Sequence, residues 1–139
     1  MFKKIAHLKF ASFVLLTGLI ILAGCSTKHK EVRLTKTNNG DTITLTKGET
    51  LILDLDSNPT TGYQWSVNET NEQILKQKGE AVFSQPTTEG EPLLGAGGTE
   101  TFHFEAVGKG QVTLKIDYLR SWEKDIEPVE TFTIQIEVR

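Results

Sequence analysis

From Val32 to the end of the chain, apolar and polar residues alternate with a period of two. Phe132, Ile134, Ile136 and Val138 alternate with Thr131, Thr133, Gln135 and Glu137. Val112, Leu114, Ile116 and Tyr118 alternate in the same way with Thr113, Lys115, Asp117 and Leu119. Successive side chains of a strand point to opposite faces, so this pattern specifies half-buried antiparallel strands. Glu100 to Ala106 repeats it, with Phe102 and Phe104 on one face and Thr101, His103 and Glu105 on the other, and Gly108-Lys109-Gly110 turns the chain back into the Val112 strand. Leu51, Leu53 and Leu55 mark an earlier strand ending at Ser57, and Tyr63 to Val67 marks another. Only Glu69 to Lys78 has room for a helical turn. Two sheets must bury each other's apolar faces, so the expected fold is all-β, an immunoglobulin-like β-sandwich of about seven or eight strands.

The first residues read as an address and an anchor. Lys3, Lys4 and Lys9 precede an apolar run from Phe10 to Leu22, followed by Leu22-Ala23-Gly24-Cys25. This is the layout of a secretory signal (1–24) ending in a bacterial lipobox. About 13 apolar residues fall short of the ~20 that span a bilayer. Cleavage before Cys25 would leave its thiol to carry diacylglycerol and its amine to be acylated, which implies a lipid anchor in the cell membrane or outer membrane with the domain facing the periplasm or exterior. Cys25 is the single cysteine, so no intrachain disulfide is expected. Residues 25–31 form the lipidated cysteine and a polar tether that includes Lys28, His29 and Lys30, and 32–139 form one domain. Loss of the three signal lysines moves the formal charge from −3 to −6. That argues against nucleic acid as a partner, since phosphate binding needs a basic patch.

Three turn-rich gaps carry the remaining signal. On an immunoglobulin-like sandwich they would be the BC, DE and FG loops, which cluster at one end. The BC segment is Asn58-Pro59-Thr60-Thr61-Gly62-Tyr63, where proline ends a strand and glycine permits the turn back. Gln85 to Gly98 is a long irregular loop closing on Gly95-Ala96-Gly97-Gly98, and long loops in small domains are usually functional. Glycine also allows a partner's extended backbone to approach closely. Arg120-Ser121-Trp122 places an exposed tryptophan beside an arginine, the composition of a binding hot spot. Trp65, by contrast, falls mid-strand and is expected in the core.

These three segments, in this order, resemble the chagasin-type (chagasin/amoebiasin-like) inhibitors of papain-family cysteine proteases. The likeness extends over essentially all of Val32 to Arg139, with complete matches to Asn-Pro-Thr-Thr-Gly at Asn58 to Gly62 and to Gly-x-Gly-Gly at Gly95, Gly97 and Gly98. The third segment departs from the family's Arg-Pro-Trp or Arg-Pro-Phe, because Ser121 stands at the proline. A missing φ lock adds loop freedom worth roughly 0.4–1 kcal/mol. The resemblance implies a reversible, non-covalent, competitive plug of the active-site cleft. Thr60 and Thr61 would sit over the catalytic cysteine and histidine, the glycine loop would lie along the cleft, Trp122 would stack on an aromatic patch, and Arg120 would orient its loop or reach an acidic group. The partner so implied is a papain-like cysteine protease, with no cofactor and a monomeric inhibitor.

An enzyme is the main competing class, and the sequence offers it little. Once His7 leaves with the signal, His29 lies in the tether and His103 on a strand, so no nucleophile has a base placed beside it and no metal-spaced Cys/His set exists. Asp117, Glu123, Asp125 and Glu127 lack the glycine-punctuated spacing of a calcium loop. A cell-surface adhesion or assembly lipoprotein on the same sandwich is the alternative function.

Strand parity further predicts how the domain is oriented. Asn39-Gly40 is a two-residue hairpin signal of type I′. If it joins paired antiparallel strands at Val32 to Thr37 and Asp41 to Thr46, and Lys47-Gly48 turns into the Leu51 strand, the chain enters at the end opposite the Asn58 loop. The binding loops would then face away from the anchor.

Overall fold

The computed structural model describes residues 30–139 apart from 89 and 94; the signal, Cys25 and the tether up to His29 lie outside the described residues. The alternating runs become β1 (Glu31–Thr35), β2 (Thr42–Leu45), β3 (Thr50–Ser57), β4 (Gln64–Glu69), β5 (Leu75–Gln77), β6 (Val82–Ser84), β7 (Thr87–Thr88), β8 (Glu91–Pro92), β9 (Gly98–Ala106), β10 (Gly110–Leu119) and β11 (Glu130–Val138). One sheet runs β1-β3-β9-β5 with β6 also on β9, and the other runs β2-β11-β10-β4, while β7 and β8 form a small separate hairpin. Nine strands thus form the sandwich instead of seven or eight, because the far edge of β9 is covered by two short strands, at Phe104 to Ala106 and at Thr99 to Thr101. In the segment from Glu69 to Lys78 a single turn forms, with the Ile74 and Leu75 amides donating to Asn71 O, before β5 begins.

The alternation sorts side chains as the period of two requires. Leu51, Leu53 and Leu55 of β3 and Phe102, Phe104 and Ala106 of β9 face Leu114 and Ile116 of β10 and Phe132, Ile134 and Ile136 of β11 in one core. Leu51, Leu53, Leu55, Phe104, Leu114 and Ile116 are completely inaccessible to solvent. Thr101, His103 and Glu105 alternate with them and are half-buried on the outer face.

The antiparallel pairing of β1 with β2 across an Asn39-Gly40 hairpin does not occur. β1 pairs in parallel with β3, and β2 pairs in parallel with β11 in the opposite sheet. Asn39 has φ −59° and ψ 127° and Gly40 has φ +86°, with the Asp41 amide donating to Asn38 O at 3.1 Å. Those angles belong to a type II turn, with positive φ only at its second central residue, and not to the expected type I′ turn, which needs positive φ at both. The cause is tertiary. The Thr133 amide donates to Asn39 Oδ1 at 2.7 Å and the Gly40 amide to Thr133 O at 2.7 Å, so the turn grips β11 and carries the chain across the sandwich. An ion pair between Lys36 and Glu130 holds the same crossing, and hydrogen bonding to the Glu130 carboxylate raises the lysine above its ordinary pKa.

The directions nonetheless alternate as parity requires. Glu31 pairs with Thr50 at the start of β3, and the Thr50 amide donates to Lys30 O. The chain therefore enters at the end of the sandwich opposite Ser57 and the Asn58 loop, about 23 Å away at ~3.3 Å per strand residue.

At the loop end the two sheets are joined by polar contacts inside the core. Trp65 on β4 is 5% exposed; its indole Nε1 donates to Asp56 O at 2.8 Å and its amide to Glu100 Oε2 at 3.1 Å. Tyr118 on β10 packs against Trp65, the rings tilted by 33° with centroids 4.9 Å apart, and its hydroxyl accepts the Asn58 amide at 2.9 Å. Both residues thus reach from the β4/β10 sheet to the end of β3. Replacing Tyr118 with Phe leaves a part-buried amide unsatisfied, and unfolding in urea should show a loss of about 1–3 kcal/mol. A variant as stable as the parent would remove this hydrogen bond from the account of how Asn58 is placed.

Candidate functional site: three loops at one end of the sandwich

Ser57 pairs with Gly98, and Leu119 pairs with Gln64, so the ends of β3 and β10 and the starts of β9 and β4 share one level. All three sequence segments leave from that level. The BC loop is one 3-10 turn, Pro59–Thr61, with proline at its first position, where the absent amide is not missed. The Thr61 and Gly62 amides donate to Asn58 O and Pro59 O at 3.1 and 2.9 Å. Thr60 Oγ1 donates to Asn58 Oδ1 and Thr61 Oγ1 to Asn58 O, each at 2.6 Å. Pro59, Thr60 and Thr61 form the exposed tip, while Asn58, Gly62 and Tyr63 are half-buried. Both threonine hydroxyls are held within the turn with no base beside them, so the tip is a rigid polar wedge without an activated nucleophile.

Arg120 fastens the FG loop to the BC loop. Its Nε donates to Thr61 O at 3.1 Å, its guanidinium lies 4.4 Å from the centre of the Tyr63 ring, and its Nη1 pairs with Glu123 at 3.2 Å. Inside the molecule this arginine thus links its own loop, through Glu123, to the BC loop, through Thr61 and Tyr63. Tyr63 in turn packs against Tyr118, the tilted rings 5.4 Å apart at their centroids, which connects the clamp to the core. Trp122 is 65% exposed, yet its indole rests on Gly62: a Cβ there would lie 2.3 Å from Cη2 of the ring. Gly62 also has φ +81°, a value that L side chains rarely adopt. Ser121 is exposed. The stiffness of this loop comes from the residues on either side of it.

The DE loop folds more than its composition suggested. The β7-β8 hairpin projects from it, the Gln85 side chain donates to Leu93 O at 2.7 Å, and the Ala96 amide donates to the same carbonyl at 3.1 Å. Asn58 Nδ2 reaches Gly95 O at 3.5 Å, at the limit of a hydrogen bond, linking this loop to the BC loop. Gly95 and Gly97 are exposed, and Ala96 and Gly98 are half-buried. The missing side chain of Gly98 is used internally, since a Cβ would lie 2.1 Å from Ser84 O, and only glycine lets β6 close on β9 there. Beneath the loop is an open groove of about 710 Å³ bordered by Ser57, Asn58, Gln85, Pro86, Gly98 and Tyr118. Ser57 Oγ is buried at its edge with no hydrogen-bond partner.

Sequence reasoning did not anticipate Tyr63 as a platform for Arg120, Tyr118 as the hydroxyl that places Asn58, or Glu123 as a partner for Arg120. The signals were present as an aromatic next to the loop motif, an aromatic ending a strand, and an i, i+3 acid. The four acids considered for a cation do not converge. Asp117 is buried against Thr131 and Asn68, and Glu123 faces Arg120. Among the described residues no group of three or more Asp, Glu, His or Cys is arranged to hold a metal.

Comparison with known proteins fits this geometry. The sequence profile of the Chagasin family peptidase inhibitor I42 matches residues 44–136. Chagasin of Trypanosoma cruzi is 33% identical over 104 residues, covering 75% of this chain and 94% of that protein. Amoebiasin-1 of Entamoeba histolytica is 32% identical over 106 residues, covering 76% and 98%. The crystal structure of the cysteine protease inhibitor EhICP2 from Entamoeba histolytica superposes with a TM-score of 0.70 over 81% of this chain and 98% of that one, at 22% identity, and shares the fold. The chain belongs to the chagasin family of peptidase inhibitors.

Proposed function

We propose that this protein inhibits papain-like cysteine proteases reversibly, non-covalently and competitively, with its BC, DE and FG loops entering the active-site cleft as one wedge. The observation that carries this reading is the fastening of Thr61, Tyr63 and Trp122 to one another by Arg120 and Gly62 at the exposed end of the sandwich. Loops held before binding lose little entropy on binding, and an interface of about 800 Å² per partner then reaches nanomolar affinity, near −12 kcal/mol. Thr60 and Thr61 face the catalytic residues of the protease, the Gly95 to Gly97 backbone lies along the cleft, and Trp122 covers apolar surface beside it. The protease's cysteine is the nucleophile, so an adduct would need an electrophile on the wedge; the Thr60 and Thr61 hydroxyls at its tip are not electrophiles, and the plug stays non-covalent.

The proposal extends to the anchor: Cys25 carries lipid, and the domain stands on the membrane by the tether. The arrival of the chain beside Thr50, opposite the BC loop, supports this orientation. With Lys30 and Glu31 already bound to the start of β3, the tether is Ser26 to His29, about four residues spanning at most ~14 Å, which keeps the base of the sandwich near the membrane and points the wedge outward.

Papain is the direct test. The domain 32–139 should inhibit it with activity regained on dilution and no adduct in intact-mass spectra, whereas full activity of papain in excess domain would reject the reading. Trp122→Ala should raise Ki about 30-fold, or ~2 kcal/mol, with the fold intact, and Thr61→Glu should weaken inhibition by clash and desolvation. Gly62→Ala should cost about 1 kcal/mol or more in stability and loosen the seat of the indole, read out as a lower melting temperature and weaker inhibition. For the anchor, fatty-acid labelling of the expressed full chain should be lost in Cys25→Ser. Equal labelling of both would place the lipid elsewhere.

A further inference from the structure

The FG loop continues well past Arg120-Ser121-Trp122, and its second half has no part in the wedge described above. That half is ordered by its own backbone. The Glu123 amide donates to Arg120 O at 3.1 Å, the Val129 amide closes the base of the loop on Tyr118 O at 3.0 Å, and Asp125 takes φ +57° at the bend. On this frame Ile126 and Val129 are 62% and 60% exposed. Single exposed apolar residues are ordinary. Here, however, Trp122, Ile126 and Val129 are three of the five large apolar side chains most open to solvent among the described residues, and they fall within one loop. Ile126 and Val129 border a small cleft with Leu119 and with Tyr63 and Arg120, the pair that seats the FG loop on the BC loop, so this surface is continuous with the wedge.

Its charge is net negative, with Glu123, Asp125 and Glu127 against Arg120 and Lys124. Arg120 is engaged by Glu123, Thr61 and Tyr63. Asp125 and Glu127, both exposed, are left with Lys124 as the only neighbouring cation in the loop. An apolar pair framed by exposed carboxylates is the complement of an apolar patch framed by lysine or arginine.

We propose that Ile126 and Val129, with Asp125 and Glu127 beside them, form a second contact surface that docks on the shoulder of the protease beyond Trp122, an apolar area with a basic surround. This rests on the inhibitor reading and names the partner chemistry that the FG loop selects. Because the loop is already ordered, these side chains add contact area with little loss of freedom on binding.

The experiment measures Ki for papain with the domain 32–139, its double variant Ile126→Ser/Val129→Ser, and Glu127→Lys, each at low and at high salt, with melting temperatures recorded alongside. The double variant should bind at least 10-fold more weakly at both salt concentrations. Glu127→Lys should bind several-fold more weakly at low salt, with the gap closing at high salt as screening removes the repulsion. Parent-like Ki values for either variant at low salt, with the parent inhibiting, overturn the second surface while leaving the three-loop wedge standing. Failure of the parent to inhibit overturns the wedge and this surface together. All three substitutions lie at exposed loop positions, so melting temperatures matching the parent are expected.

Discussion

The bridge between the two sheets at the loop end is the constraint on which the site depends. Trp65 and Tyr118 belong to one sheet, but their polar atoms engage Asp56 O and the Asn58 amide at the end of β3 in the other, and Glu100 on β9 accepts the Trp65 amide. Buried polar groups leave little freedom, because each must find its partner with good geometry. The relative position of the sheets at this level is thereby fixed, and with it the spacing of the three loops that leave from it. The aromatic series from Trp65 through Tyr118 and Tyr63 to Arg120 carries that order from the core out to the backbone of Thr61.

Much of this was legible in the sequence, because the fold is written in a pattern that one chain can show. Period two locates the long strands, and the placement of Trp65 in the core and of Trp122 on the surface follows from whether each sits inside an alternating run or inside a charged loop. The pairing of strands is less legible. Asn39-Gly40 signals a type I′ turn with positive φ at both residues; a turn forms there, but Asn39 keeps negative φ, and no local signal says that the turn will hydrogen-bond to Thr133 in the other sheet and send β1 and β2 apart. β5, β6 and the β7-β8 hairpin escape for a different reason, since two or three residues are too few to show a period.

Within the site, sequence motifs located the loops but not the contacts that stiffen them. Ser121 in place of a proline suggested a looser FG loop. Rigidity can be supplied by a fixed dihedral or by side-chain contacts on either side of it, and the second kind is tertiary. Here Arg120 holds one side of Ser121 and the seating of Trp122 on Gly62 holds the other. The glycines divide in a comparable way. They share a motif, but Gly62 makes room for an indole and Gly98 for a neighbouring strand, and nothing in the letters distinguishes those tasks.

The parallel ladder between β1 and β3 gives the molecule a mechanical character as well. Five consecutive residues, Glu31 to Thr35, are paired with Thr50 to Asp54, and the chain preceding them leaves from the end away from the loops. Tension between that end and anything gripping the loops runs along the strand axis. It would load the rungs of the ladder together in shear, so β1 could not be peeled away one hydrogen bond at a time. A domain held by its first strand and pulled by its loops is thus loaded in its strong direction.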